Sequence, residues 1–247
     1  MADIDTHVAV DLHPDTFLSL PGVDDSTAPF IAPAVEAFDA AYKYIGSIYE
    51  VREAAFADPT LTQEGALLKA DDFAKQRLAT VTKKIDGAVA QLTKTIDSYQ
   101  AEMSANVKAQ ASSQVSGEVR SLMKASGDRV KMIEQAFADG EDDILTAVLG
   151  GPAVLSGLSK EMHAGFLRQY HEMKNPERAQ RLKAMIAART RLEQRGGLVL
   201  KEMVKAVGVI LREVRDNNGN MKGHRPQGPD VIRAKRDKSA AVYARHS

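Results

Sequence analysis

The chain has 247 residues, equal numbers of acidic and basic side chains, no cysteine, no tryptophan and only 5% aromatic residues. The lack of cysteine excludes disulfides, thiolate metal sites and cysteine nucleophiles, while an alanine-rich apolar fraction of 44% favours packed helices over a β-sandwich. No apolar run approaches the roughly 20 residues that cross a bilayer, and the acidic amino terminus does not resemble a secretory signal, so we expect a cytoplasmic protein.

The zero net charge conceals an acidic beginning and a basic end. Residues 1–60 carry eleven acids against two bases, whereas residues 216–247 carry seven bases against three acids. Opposite charge at the two ends favours head-to-tail contacts between subunits, or a separate partner for each end.

Residues 1–33 are predicted to form an extended acidic arm. Pro14, Pro21, Pro29 and Pro33 stand too close together for a continuous helix. The apolar residues between these prolines are too numerous for a fully solvated linker. We therefore expect an arm that lies along a surface, either its own or that of a neighbouring subunit.

Helical periodicity begins after the arm and defines a helical domain over residues 34–215. Its second helix, of about residues 62–138, carries apolar residues at steps of three and four. This coiled-coil-like seam consists of Leu78, Val81, Ile85, Ala88, Leu92, Ile96, Tyr99 and Met103. Small and polar residues then weaken the seam, and a break or a crossing point is expected near Gly117 or Gly127.

A glycine-proline elbow at residues 150–158 joins a short helix to the helices that follow. It departs from a Walker-type phosphate loop because five residues separate Gly151 from Gly157, and because Leu-Ser follows instead of Gly-Lys-Ser/Thr. We interpret the elbow as a helical corner, capped by Ser156 or Ser159.

The histidines do not form a recognisable site. His163 and His171 lie eight residues apart without an evident third ligand, and Asn175 stands where the zinc protease motif HExxH needs its second histidine. No catalytic, cofactor-binding or metal-binding residue is predicted, and the chain is not expected to be an enzyme.

The last helix of the domain is expected to run from Pro176 to about residue 215, with a weak point at Gly196-Gly197. No segment shows a strand period over more than a few residues. The predicted fold is therefore all-α: a long helical hairpin or coiled-coil-like bundle with extended N- and C-terminal arms.

Residues 216–247 are predicted to be an extended basic tail that binds a partner, and its last part can form a short helix on that partner. The partner-binding candidates are Val231, Ile232, Arg233, Lys235, Arg236, Lys238, Val242 and Tyr243. Apolar residues flank the basic cluster as anchors on an acidic protein surface would. In the alternative, the basic side chains neutralise DNA phosphates and Tyr243 stacks on bases.

The region from about residue 144 to residue 215 resembles a pattern in proteins encoded by tailed bacteriophages and prophages. In that pattern a short apolar helix leads through Gly-Pro and Leu-Ser-Gly-Leu into a helix with Glu, His, Leu and Tyr. The matching positions are Gly151, Pro152, Leu155, Ser156, Gly157, Leu158, His163, Tyr170 and Pro176.

The resemblance implies a virion structural protein, near the portal or tail or among the internal proteins, found in the virion and in the host cytoplasm before assembly. Its expected partners are further copies of itself and other virion proteins, since extended arms that clamp neighbours suit symmetric rings and shells. The alternative is a DNA-associated protein that is packaged or ejected with the genome. No cofactor is expected in either case.

Overall fold

The computed structural model of the chain describes residues 8–111 and 114–246, and helices dominate them. The helices are α1 (Ala28–Ala57), α2 (Gln63–Gln110), α3 (Gln114–Ala125), α4 (Arg129–Asp139), α5 (Asp142–Leu149), α6 (Lys160–Lys174), α7 (Pro176–Val207) and α8 (Pro229–His246). Strands β1 (Ile210–Arg215) and β2 (Met221–Gln227) pair as an antiparallel hairpin. The prediction of an all-α fold is confirmed, with this hairpin as a small addition.

The chain divides into two compact units. The described parts of the first unit are 8–19, 32–89 and 189–246, and those of the second are 20–31, 90–111 and 114–188. In the first unit the segments of the long helices α1, α2 and α7 pack against each other. They bury a set of large apolar side chains that includes Phe38, Ile45, Ile48, Leu67, Val81, Leu192 and Met203.

The second unit contains the short helices α3 to α6 together with parts of α2 and α7. Its core includes Val107, Met123, Ile133, Leu145, Val148, Leu158 and Tyr170. The Tyr170 hydroxyl donates a hydrogen bond of 2.9 Å to Asp142 Oδ1. Burial and this bond to a carboxylate raise the pKa of Tyr170 above its usual value.

The apolar seam predicted on the second helix lies on α2 and faces inward. Val81, Ala88, Leu92, Ile96 and Met103 are buried, and the other members are partly buried. The helix itself is shorter than the predicted span of 62–138, because α2 ends at Gln110 and residues 126–128 separate α3 from α4. Small side chains beyond the seam bury too little area to hold one straight helix together.

The amino-terminal residues correct the prediction of an extended arm over 1–33. Residues 1–7 lie outside the described residues, but Val10–Leu12 and Pro14–Phe17 form 3-10 turns, and α1 already begins at Ala28. Phe17 is fully buried in the first unit and packs edge-on against Phe38, with ring centroids 4.9 Å apart. Burial of apolar side chains outweighs the loss of backbone donors at the prolines.

The carboxyl-terminal residues correct the predicted boundary at 215 and the prediction of an extended tail over 216–247. Helix α7 passes through Gly196-Gly197 without interruption but ends at Val207, and the hairpin and α8 follow. The chain leaves α7 at Gly208 with φ of 74°, a backbone conformation that glycine adopts without strain.

The elbow turns the chain from α5 to α6 through a 3-10 helix, Ala153–Ser156. Gly157 adopts a left-handed conformation with φ of 69° at the end of this turn. Ser159 then caps α6, because its Oγ accepts a hydrogen bond of 3.1 Å from the Met162 N–H.

Candidate partner-binding surface

The predicted partner-binding residues lie in what we call the C-terminal arm, residues 208–246 of the first unit. Its first part is the hairpin, closed by a tight turn in which Asp216 Oδ1 accepts hydrogen bonds of 2.9 Å from the Asn218 and Asn220 N–H groups. Only Ile210 of β1 is buried. The hairpin thus depends on its turn and its cross-strand hydrogen bonds more than on burial.

An ion pair joins the hairpin to helix α2 of the same unit. The Arg212 side chain of β1 donates to Glu64 on α2, and this bond holds the pKa of the Glu64 carboxyl below its usual value. Most of the other hairpin side chains are exposed, among them Leu211 and Met221. The hairpin therefore presents apolar as well as basic groups to solvent.

Helix α8 is anchored to α2 by its first turn and a half. Arg233 donates to Asp71 Oδ2 through Nη2 at 2.6 Å and through Nε at 3.2 Å, and its Nη2 also lies 2.5 Å from Asp72 Oδ1. The hydrogen bonds to Asp71 and Asp72 raise the pKa of Arg233, which stays charged. Beside this cluster Ile232 is 6% exposed, so that a polar and an apolar contact together fix the start of α8.

The rest of α8 is exposed to solvent. Every residue from Ala234 to Arg245 is exposed, on all sides of the helix. The exposed set includes Val242 and Tyr243, which are 52% and 71% exposed, and Val231, about three turns before them, is 48% exposed. A solvated segment of this length has little intrinsic stability as a helix, so a packing partner would stabilise it.

Four of the exposed residues of α8 lie on the same face of the helix. Val231, Lys235, Lys238 and Val242 follow steps of four, three and four, and these steps place them along one face. Lys235 donates to Gln227 Oε1 at 3.0 Å. The two valines and Lys238 are exposed to solvent. This valine-lysine face combines two apolar anchors with positive charge.

Six of the eight predicted residues fall into two sets with different roles. Ile232 and Arg233 attach α8 to its own subunit, whereas Val231, Lys235, Lys238 and Val242 form the exposed face. Arg236 lies 3.6 Å from Asp237 in a surface ion pair. Sequence reasoning missed the anchor itself, since nothing in the local sequence relates Arg233 to Asp71 and Asp72.

Metal centres and membrane-spanning helices are absent from the described residues. No group of three or more His, Asp or Glu side chains that could hold a metal ion occurs among them. No helix among them is long and apolar enough to cross a membrane. His171, one of the two histidines considered as metal ligands, is half-buried, and burial lowers its pKa.

The chain was compared with protein families, with curated proteins and with solved structures. No protein family, curated protein or solved structure matches it.

Proposed function

We propose that the protein is a non-enzymatic structural subunit of a tailed-phage particle, present in several copies, and that its C-terminal arm binds a neighbouring subunit. The phage setting follows from the resemblance of residues 144–215 and from nothing else. The assembly role has independent physical support, because the arm is folded yet largely exposed. Portal, tail-proximal and internal positions all fit such a subunit.

The observation that carries the assembly role is the exposure of α8 from Ala234 to Arg245. Burying Val231 and Val242 against a partner would contribute roughly 1 to 2 kcal/mol per side chain. Lysines at the same face favour a partner surface that carries carboxylates. The arm therefore has both an apolar and an electrostatic reason to bind protein.

A second copy of the chain offers a suitable acidic surface. Glu36, Glu50 and Glu53 of α1 are exposed, and no ion pair involves them among the described residues. Contact between the basic arm of one copy and the acidic helix of the next is heterologous, and repeated contacts of this kind form a ring if the rotation between subunits closes and a filament if it does not. A ring or a shell is the form that a virion subunit takes.

The test is assembly of the full chain with the double substitution Val231→Asp/Val242→Asp. Both side chains are exposed in the subunit, so the helical content and the melting temperature should stay close to wild type while the oligomer dissociates. The matched control is Leu200→Asp/Val204→Asp, which adds the same charge to exposed apolar positions of α7. Sedimentation velocity of all three proteins measures the result.

An oligomer that survives the arm substitutions, or one that the α7 substitutions disrupt equally, contradicts assembly through the arm. The phage setting has its own test in mass spectrometry of particles purified from a producing cell. Absence of the chain from such particles contradicts the virion role without affecting the assembly role.

A DNA-associated role is the second candidate, and one observation favours it. Lys222, Arg225, Lys238 and Arg245 of the arm are exposed and take part in no ion pair within the described residues. If they bind phosphates, Lys238→Glu/Arg245→Glu should weaken duplex DNA binding and flatten its dependence on salt. Lys83→Glu/Lys84→Glu on α2 is the control with the same charge change. Fluorescence anisotropy at two salt concentrations separates this role from assembly.

A further inference from the structure

The elbow at residues 150–158 forms one wall of a cavity in the second unit. The cavity has a volume of about 610 Å³ and lies between α2, the elbow and α6. The side chains that give it its chemistry are Ser104, Lys108, Leu149, His163 and Leu167. Its size is that of a pocket for a small organic molecule.

Close packing of the elbow glycines determines the shape of this wall. A Cβ at Gly150 would overlap Ala111 Cβ and would lie 2.6 Å from the Val107 carbonyl oxygen, so only glycine lets the elbow approach α2 so closely. Beside it, the Arg120 side chain packs against Gly151, and its Nη1 donates to the Ala147 carbonyl at 2.8 Å. The wall is thus held in place from two sides, with a guanidinium next to it.

The polar lining of the cavity is basic and is not neutralised. Lys108 and His163 line it, and none of its described lining residues is Asp or Glu. No ion pair of Lys108 occurs within the described residues. A basic cavity wall without a carboxylate attracts an anion.

An independent observation concerns the His163 imidazole. Its Nε2 atom is shielded from solvent and has no hydrogen-bond partner among the described residues. Buried polar atoms of native proteins nearly always have a partner. His163 lines this same cavity, so an imidazole with an unsatisfied nitrogen lies in the cavity wall.

We propose that this cavity binds a small organic oxyanion, with its phosphate or carboxylate group between Lys108, His163 and the Ser104 hydroxyl. The remainder of the ligand packs against the apolar side chains of Leu149 and Leu167. Room for that remainder continues into a neighbouring cavity of about 750 Å³, which shares Ser104 and Leu167. Its lining combines the apolar Met103, Leu182 and Ile186 with the charged Arg168, Glu172 and Lys183. The ligand class is therefore an anion with an apolar body, and the site is independent of the C-terminal arm.

The experiment uses the full chain and three probes of similar size: phenyl phosphate, benzoate and the neutral benzyl alcohol. Titration by isothermal calorimetry should show saturable binding of at least one of the two anions, and binding of benzyl alcohol at least about tenfold weaker. Inorganic phosphate, titrated separately, measures what the anionic group contributes without an apolar body, and it should bind more weakly than phenyl phosphate.

Two substitutions in the cavity and one outside it locate the site. Lys108→Met keeps the length of the side chain and removes its charge, and His163→Gln keeps a polar group at the wall. Each should weaken the anion that binds by about tenfold or more, while Lys131→Met, at an exposed position of α4, should not. Thermal melts of the variants check that the second unit stays folded.

Three outcomes overturn the proposal. The first is no saturable binding of either anion at millimolar concentration, and the second is benzyl alcohol binding as tightly as the anions. The third is anion binding that neither cavity substitution weakens relative to Lys131→Met. Because only the third locates binding elsewhere on the chain, the three outcomes are distinguishable from one another.

Discussion

Replacing Gly150 with alanine tests the close approach of the elbow to α2. The Gly150 backbone is right-handed helical, with φ of −79° and ψ of −12°, so alanine fits the conformation itself. The added Cβ, however, would overlap Ala111 Cβ and would lie 2.6 Å from the Val107 oxygen, well inside the contact distance of about 3.5 Å. The elbow or the end of α2 must therefore move.

The magnitude follows from two opposing effects. Overpacking of a close contact destabilises a fold by about 1 to 3 kcal/mol, whereas alanine in place of glycine contributes about 0.4 to 1 kcal/mol by restricting the unfolded chain. The first effect is larger, so we expect Gly150→Ala to lower the free energy of unfolding by about 1 to 2 kcal/mol.

Gly165→Ala is the matched control in the same unit. Gly165 lies within α6, and a Cβ there would meet no atom within 4 Å. Only the favourable effect remains at this position, so the same chemical change should raise the free energy of unfolding by about 0.5 to 1 kcal/mol.

Urea denaturation followed by circular dichroism compares the two variants with wild type. The comparison is valid where the dependence of the unfolding free energy on urea is the same for all three proteins. Opposite signs for the two variants are expected. A Gly150→Ala protein as stable as the Gly165→Ala protein would refute the packing of the elbow on α2.

Three further outcomes are expected. Leu92→Asp should lower the free energy of unfolding by about 3 to 5 kcal/mol because it buries an unpaired charge. Ile85→Asp, at a partly exposed seam position, should lower it less. Denaturation midpoints of both variants equal to that of wild type would mean that the seam is exposed. Arg233→Met should release α8 and let a protease remove it while the remaining chain resists, and unchanged cleavage would contradict the anchor. The bond from Arg212 depresses the pKa of Glu64 in the folded chain, so its stabilisation is present above the usual glutamate pKa of about 4.3 and is lost as the pH falls through the lower folded value. An Arg212→Gln protein should therefore show a weaker loss of stability between pH 5 and about 3, and identical pH profiles would argue against the pair.

The α2 seam was predictable because the pattern that specifies it is local. Apolar side chains at steps of three and four indicate both a helix and its buried face, whatever the partner helix is. The prediction for the amino terminus was wrong because the prolines were given more weight than the residues that signal the start of a helix. Asp24 accepts hydrogen bonds from the Ser26 and Thr27 N–H groups just before α1, and an Asp-Asp-Ser-Thr run is a typical start of a helix.

The hairpin was not predictable from strand periodicity. The β1 sequence Ile-Leu-Arg-Glu-Val-Arg buries one residue and does not alternate between apolar and polar side chains. The available signal was the Asn218-Gly219 dipeptide, which favours a tight hairpin turn but lies within the residues predicted to be an extended tail. Pro226 lies on β2, which pairs with β1 alone and so tolerates the missing backbone donor.

The anchor of α8 illustrates what periodicity cannot supply. Arg233 and Asp71 are 162 residues apart in the chain, and no local pattern relates one to the other. Arg233 was therefore included among the residues predicted to bind an external partner, although this arginine binds within its own subunit. Non-local ion pairs become visible only when the helices have been placed.

The packing of the elbow and the proposed binding of an anion beside it depend on different residues, so that experiments can test them separately. Gly150 serves packing, because the space that its missing side chain leaves is occupied by the end of α2. Lys108 and His163 serve no packing contact that would demand a charge, since an apolar side chain of the same length fills the same volume. Loss of stability in Gly150→Ala together with loss of anion binding in a stable Lys108→Met protein would therefore show that the fold provides the wall and the basic side chains provide the site.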